Sequence, residues 1–149
     1  MKLKQKIIES YLIIANGKVT LLQQTLADLK ESGANETKNT AGDKHETALA
    51  MLQIEQANKR TQLQEALEQK AVLEKLTNVT NTTKIVHGSL VKTNKGYFYM
   101  SVALGKAVVD EVAIIAISPQ SPLGAKLMGL CVHDALEING NAYLVEEIL

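Results

Sequence analysis

Apolar positions recur every three or four residues through the first 76 residues, and from residue 84 onward the apolar period shortens. Leu3, Ile7, Tyr11, Ala15, Val19, Leu22, Leu26 and Leu29 trace one stripe along a helix. Ser32-Gly33-Ala34-Asn35 supplies stop signals, and residues 33–42 are small and polar, as a loop requires. A second helical pattern starts at Asp43 and runs to about Leu76. Its stripe is strong at Leu49, Met51, Leu52 and Ile54, fades from Glu55 to Gln62, and resumes at Leu63, Leu67, Ala71, Leu73 and Leu76. A seam this narrow suits two helices that touch only each other, so residues 1–76 are expected to form an antiparallel two-helix coiled coil. Each helix of about thirty residues, rising about 1.5 Å per residue, would give an arm roughly 45 Å long.

Residues 77–83, Thr-Asn-Val-Thr-Asn-Thr-Thr, form a polar, helix-poor linker. Beyond it, residues 84–149 predict a small α+β domain, an antiparallel sheet packed on one short helix. Lys84–Val91 reads as a strand, and Tyr97–Leu104 as another after a turn at Asn94-Lys95-Gly96. Val108–Ile117 is β-rich, and Asn139-Gly140-Asn141 is a hairpin turn between Ala135–Ile138 and Ala142–Ile148. The helix is expected at Ser121–Met128, capped by Ser121 with Pro122 in its first position.

Charge narrows the function classes. Basic and acidic residues number 16 each, and neither half carries an excess of cations. Nucleic-acid affinity comes mostly from clustered cations neutralising phosphate, and Arg60 is the only arginine, so autonomous DNA or RNA binding is not expected. Cys131 is the sole cysteine, which excludes an internal disulfide and fits a reducing compartment. The lysine-rich start resembles a signal peptide, but Glu9 and Asn16 interrupt its apolar run and no small-residue cleavage site follows. No apolar run is long enough to cross a bilayer. These features predict a soluble cytoplasmic protein without membrane attachment.

The candidate chemistry is concentrated at Gly42-Asp43-Lys44-His45-Glu46, where the two helical patterns meet. Asp43 and Glu46 would sit at the tip of the hairpin, an acidic pair well placed for presentation to another molecule. The same spacing is a capping box, in which each residue satisfies the other's backbone N–H. Lys44 and His45 are read as solvated. Cys131 and His133 would share a strand face as a thiol–imidazole pair, yet no third member or acyl pocket accompanies them.

Two stretches carry a family resemblance. Gly42-Asp43-Lys44-His45-Glu46-Thr47-Ala48 resembles the Gly-Asp-x-x-Glu-x-Ala tip of the Gre transcript cleavage factors of bacterial RNA polymerase. Ile117-Ser118-Pro119-Gln120-Ser121-Pro122-Leu123-Gly124-Ala125-Lys126-Leu127-Met128-Gly129 is similar to the Ser-Pro-Ile/Leu-Gly-x-x-Leu-x-Gly signature of their C-terminal domain. Val86-x-Gly88-Ser89-x-Val91 also fits that domain's opening strand. The motifs appear in the family's order and span nearly the whole chain.

The resemblance implies an FKBP-like C-terminal domain that docks at the rim of the polymerase secondary channel, with Ser121, Pro122, Leu123 and Gly124 near the binding surface. The coiled coil would enter the channel. There Asp43 and Glu46 would help hold a magnesium ion and water at the polymerase active site and stimulate hydrolysis of backtracked RNA. The chain would need no cofactor of its own, have no activity alone, and meet RNA or DNA only inside the elongation complex, as a monomer or weak homodimer. An FKBP-like fold also raises a prolyl isomerase reading, for which Tyr97, Phe98, Tyr99 and Tyr143 are a thin aromatic lining. The chain departs from the family after Glu46: Thr47-Ala48-Leu49-Ala50 stands where many members have Asn-Ala-acidic-Tyr. An apolar residue near Ile54 replaces a common arginine, and His133-Asp134 stands for Gly-Asp. The alternative is therefore a secondary-channel regulator that modulates or inhibits polymerase without stimulating cleavage.

Overall fold

A computed structural model describes residues 2–38, 42–79 and 82–149. The fold is α+β: two long helices, α1 (Leu3–Lys38) and α2 (Gly42–Lys75), precede a six-stranded sheet with one short helix. By contacts the chain divides into two compact units, Ile14–Gln69 and Met1–Ile13 with Lys70–Leu149. The sheet-bearing unit thus takes in the first turns of α1 and the end of α2.

In the helical unit, Val19 and Leu22 pack with Leu63 and Ala66 while Gly33 lies beside Gln56, so the two helices run antiparallel. The α2 seam runs through Leu49, Leu52, Gln56, Lys59, Leu63 and Ala66, all buried or half-buried. Their alternating steps of four and three residues are the heptad spacing of a coiled coil. This corrects the stripe expected from apolar residues alone. Met51 and Ile54 are 64% and 62% exposed, and the seam continues unbroken through Gln56 and Lys59. Helix α1 also runs past its expected stop, through Ser32 and Gly33 to Lys38. A helical glycine costs only about 1 kcal/mol, and an established helix propagates more easily than it starts. The remaining expected loop residues, 39–41, lie outside the described residues.

The strands are β1 (Leu90–Thr93), β2 (Gly96–Met100), β3 (Gly105–Val109), β4 (Val112–Ile117), β5 (Ala135–Ile138) and β6 (Asn141–Ile148), in the order β3-β4-β2-β1-β6-β5. All pairings are antiparallel except β2 with β4, which run parallel. The β-rich run 108–117 divides because Asp110 and Glu111 both adopt positive φ, a two-residue hairpin turn. Asn139-Gly140 turns the β5–β6 hairpin in the same way. The first strand begins at Leu90, later than expected, because Gly88 takes φ 102° in the preceding turn; Lys84 contributes only an isolated bridge to Cys131. The next strand ends at Met100, not Leu104. Of the linker, Leu76–Asn78 is a single 3-10 turn, and Thr80 and Asn81 lie outside the described residues.

Both sheet faces are covered. On one, Val91, Met100, Val145 and Ile148 pack with Ile85 and with Leu127 of α3 (Pro122–Leu127). On the other, Leu90, Tyr99 and Ile114 are fully buried, and the Tyr11 ring of α1 lies 6.1 Å from that of Tyr99. The Tyr11 hydroxyl donates to the Gly105 carbonyl at 2.8 Å, with the Ile114 carbonyl at 3.1 Å. Lys6 adds an ion pair to Asp110 at 2.7 Å. Gly88 admits the linker: a Cβ there would lie 2.7 Å from a Val79 methyl.

Candidate functional site

Helix α2 begins at Gly42, so Asp43 lies inside its first turn and not at the preceding N-cap position of a capping box. Positions 43 and 46, three apart on one helix, fall on the same face. Glu46 is exposed. The side chains of Asp43, Lys44 and His45 lie outside the described residues. Leu49, one turn further on, is half-buried in the seam, and Ala50 is exposed.

The second candidate region is the turn into α3, tied by a compact set of hydrogen bonds. The Ser118 carbonyl accepts from the Ser121 amide at 3.0 Å and from the Ser121 hydroxyl at 2.6 Å. The Ser121 hydroxyl in turn accepts from the Gly124 amide at 3.0 Å, the N-cap expected from the sequence. Pro122 occupies the first helical position, where its missing N–H costs nothing. Gly124 is buried, and a Cβ there would collide with the Ser118 carbonyl oxygen. Of the four residues singled out, Pro122 is exposed, Ser121 and Leu123 are half-buried, and Leu123 packs against the core. The motif therefore shapes a tight turn that leaves Pro122 on the surface.

His133 has φ 77°, and Asp134 accepts from the Cys131 amide at 2.7 Å. The Cys131 thiol and His133 imidazole are not hydrogen-bonded to each other, so no nucleophile–base pair forms there. Among the described residues, no cluster of three or more His, Cys, Asp or Glu side chains is arranged to hold a metal ion. Nor is any helix among them long and apolar enough to cross a membrane.

Two features were not legible in the sequence. The Lys4 ammonium is half-buried and donates to the main-chain oxygens of Val79 at 3.1 Å and Leu149 at 2.9 Å. Burial holds its pKa below the ordinary lysine value. Tyr99 is fully buried and its hydroxyl makes no hydrogen bond; burial pushes its pKa up to about 12. In sequence, Lys4 looked like part of a targeting segment and Tyr99 like one of three adjacent strand aromatics.

No protein-family model matches the chain, and no curated protein matches it.

Proposed function

We propose that this chain is a transcription elongation factor that binds bacterial RNA polymerase, inserts its helix pair into the secondary channel and stimulates cleavage of backtracked RNA. The observation that carries the reading is the exposed Glu46 in the first turn of α2, on one face with position 43, at the turn of a long helix pair. The buried Gly124 and Ser121-capped turn of the companion domain support it, because they form the second motif of the same resemblance.

Asp43 and Glu46 suit a hard divalent cation, which favours carboxylate oxygens and keeps several of its waters. Magnesium bound there would supply an activated water for phosphodiester hydrolysis. Two carboxylates fill too few of its octahedral positions to hold it alone. The remaining ligands must come from the polymerase and RNA, so the chain by itself is inert and stays cytoplasmic with its partner. Glu46 contributes charge and orientation, and the helix pair contributes reach.

Leu49 favours a second reading. It is an apolar seam residue where many Gre factors carry an acid, which suits channel occupancy without cleavage. Equilibrium binding to bacterial core polymerase tests the ground common to both readings. Association that a known secondary-channel ligand displaces is expected, and absence of association would sink both. Binding with no gain in RNA cleavage would favour the second.

A further inference from the structure

The two edges of the sheet, β3 and β5, are finished differently. An edge strand presents unpaired main-chain N–H and C=O groups, which are a template for pairing with another strand. The β5 edge is blocked, because the Lys126 ammonium of α3 donates to the Glu137 carbonyl at 2.7 Å. Along β3, pairing among the described residues is with β4 alone. Hydrogen-bonded pairs alternate along an antiparallel ladder. Counted from the turn at Asp110-Glu111, those of Val109, Ala107 and Gly105 face β4, and the main-chain groups of Lys106 and Val108 turn outward.

The side chains add to this open edge. Val108 is 65% exposed, and Ile115 of β4, 40% exposed, lies on the same sheet face with Ala113 and Lys106. Charge is distributed unevenly along the strand. Lys106 stands near its start, and the exposed Asp110 and Glu111 follow its end. Lys106 and Glu111 take part in none of the described ion pairs. A strand that is basic at one end and acidic at the other is complementary to its own reverse, which selects a second copy of this chain as the occupant.

We propose that two copies of the chain pair antiparallel through β3, centred on Val108, and join their sheets into one. The two valines then stand opposite each other as a cross-strand β-branched pair, and Lys106 of each copy lies beside the acidic turn of the other. A register centred on Lys106 would instead oppose like charges. A strand of five residues buries far less than the roughly 1,600 Å² of a standard interface, so the dimer is weak and concentration-dependent. The inference goes beyond the polymerase reading and does not depend on it.

The test is sedimentation velocity of the intact protein from about 10 μM to about 1 mM, a span that covers weak dissociation constants, with amide NMR spectra over the same range. A monomer–dimer equilibrium is expected, weakened by added salt, with concentration-dependent shifts centred on Lys106 and Val108. Val108→Pro removes an outward N–H while sparing the ladder to β4, and should abolish the dimer. Val108→Lys, at an exposed position, sets two ammoniums opposite each other and should weaken association about tenfold or more without altering the melting temperature. Lys106→Glu should weaken it too, and the double variant Lys106→Glu/Glu111→Lys should restore it. A monomer throughout the range, which would leave the edge to a strand of another protein, would overturn the proposal. So would shifts centred on the helix pair, or association unchanged in Val108→Lys.

Discussion

Tyr11 and Tyr99 face each other across the helix-covered side of the sheet, yet their hydroxyls differ in what they contribute. The Tyr11 hydroxyl bonds main-chain carbonyls, whereas that of Tyr99 has no partner. Tyr11→Phe should therefore lower stability by about 1 kcal/mol, while Tyr99→Phe should be neutral or stabilising in urea melts at neutral pH. The pKa of Tyr99, about 12 against an ordinary 10, fixes the sign of an alkaline effect. Between those values the folded state keeps a proton that the unfolded state loses, so stability falls as pH rises from 10 to 12. Tyr99→Phe should flatten that decline. At Gly124 the steric case is stronger: Gly124→Ala should lower the melting temperature and disrupt the turn at Pro122, seen as amide shift changes from Ser118 to Ala125. The sequence marked Ser121 as a cap from residue type alone. Strand alternation could not show which of three adjacent aromatics lacks a hydrogen bond, because that depends on a helix from the other end of the chain.

At the scale of elements, the helix pair shows what apolar counting reveals and what it hides. The apolar residues sufficed to find both helices and part of the α2 seam, at Leu49, Leu52, Leu63, Leu73 and Leu76, but they wrongly included Met51, Ile54, Leu67 and Ala71 and missed Gln56 and Lys59. Replacing both by leucine should stabilise the pair by about 1–2 kcal/mol, since each adds apolar area to a partly closed seam. Glutamine at Met51 or Ile54 should change stability by less than about 0.5 kcal/mol, because both are exposed. Thermal or urea unfolding followed by helical circular dichroism separates the two outcomes. The end of α1 was missed because Ser32 and Gly33 are weak breakers inside an established helix. The Asp110-Glu111 turn was missed because Glu111, unlike Asp110, is not a residue type favoured at positive φ.

For the molecule as a whole, the two periods of the sequence were enough to read an α+β chain with an N-terminal helix pair. The parallel β2–β4 pairing was not legible, since it joins strands with an intervening strand between them. The covering of the sheet by Tyr11 was equally hidden, for no local pattern reports a contact between residues 11 and 99. The candidate site stands differently. Asp43, Glu46 and the Ser121–Gly124 turn were singled out by motif alone; of these, Glu46 is exposed and Gly124 is buried.

The most direct test of the central claim is the rate at which a backtracked bacterial elongation complex releases its RNA 3′ fragment. The intact protein should accelerate release in magnesium-containing buffer. Asp43→Ala and Glu46→Ala should abolish the acceleration while leaving polymerase binding in place. A protein that binds polymerase yet leaves the release rate unchanged, or whose effect survives both substitutions, would contradict the account.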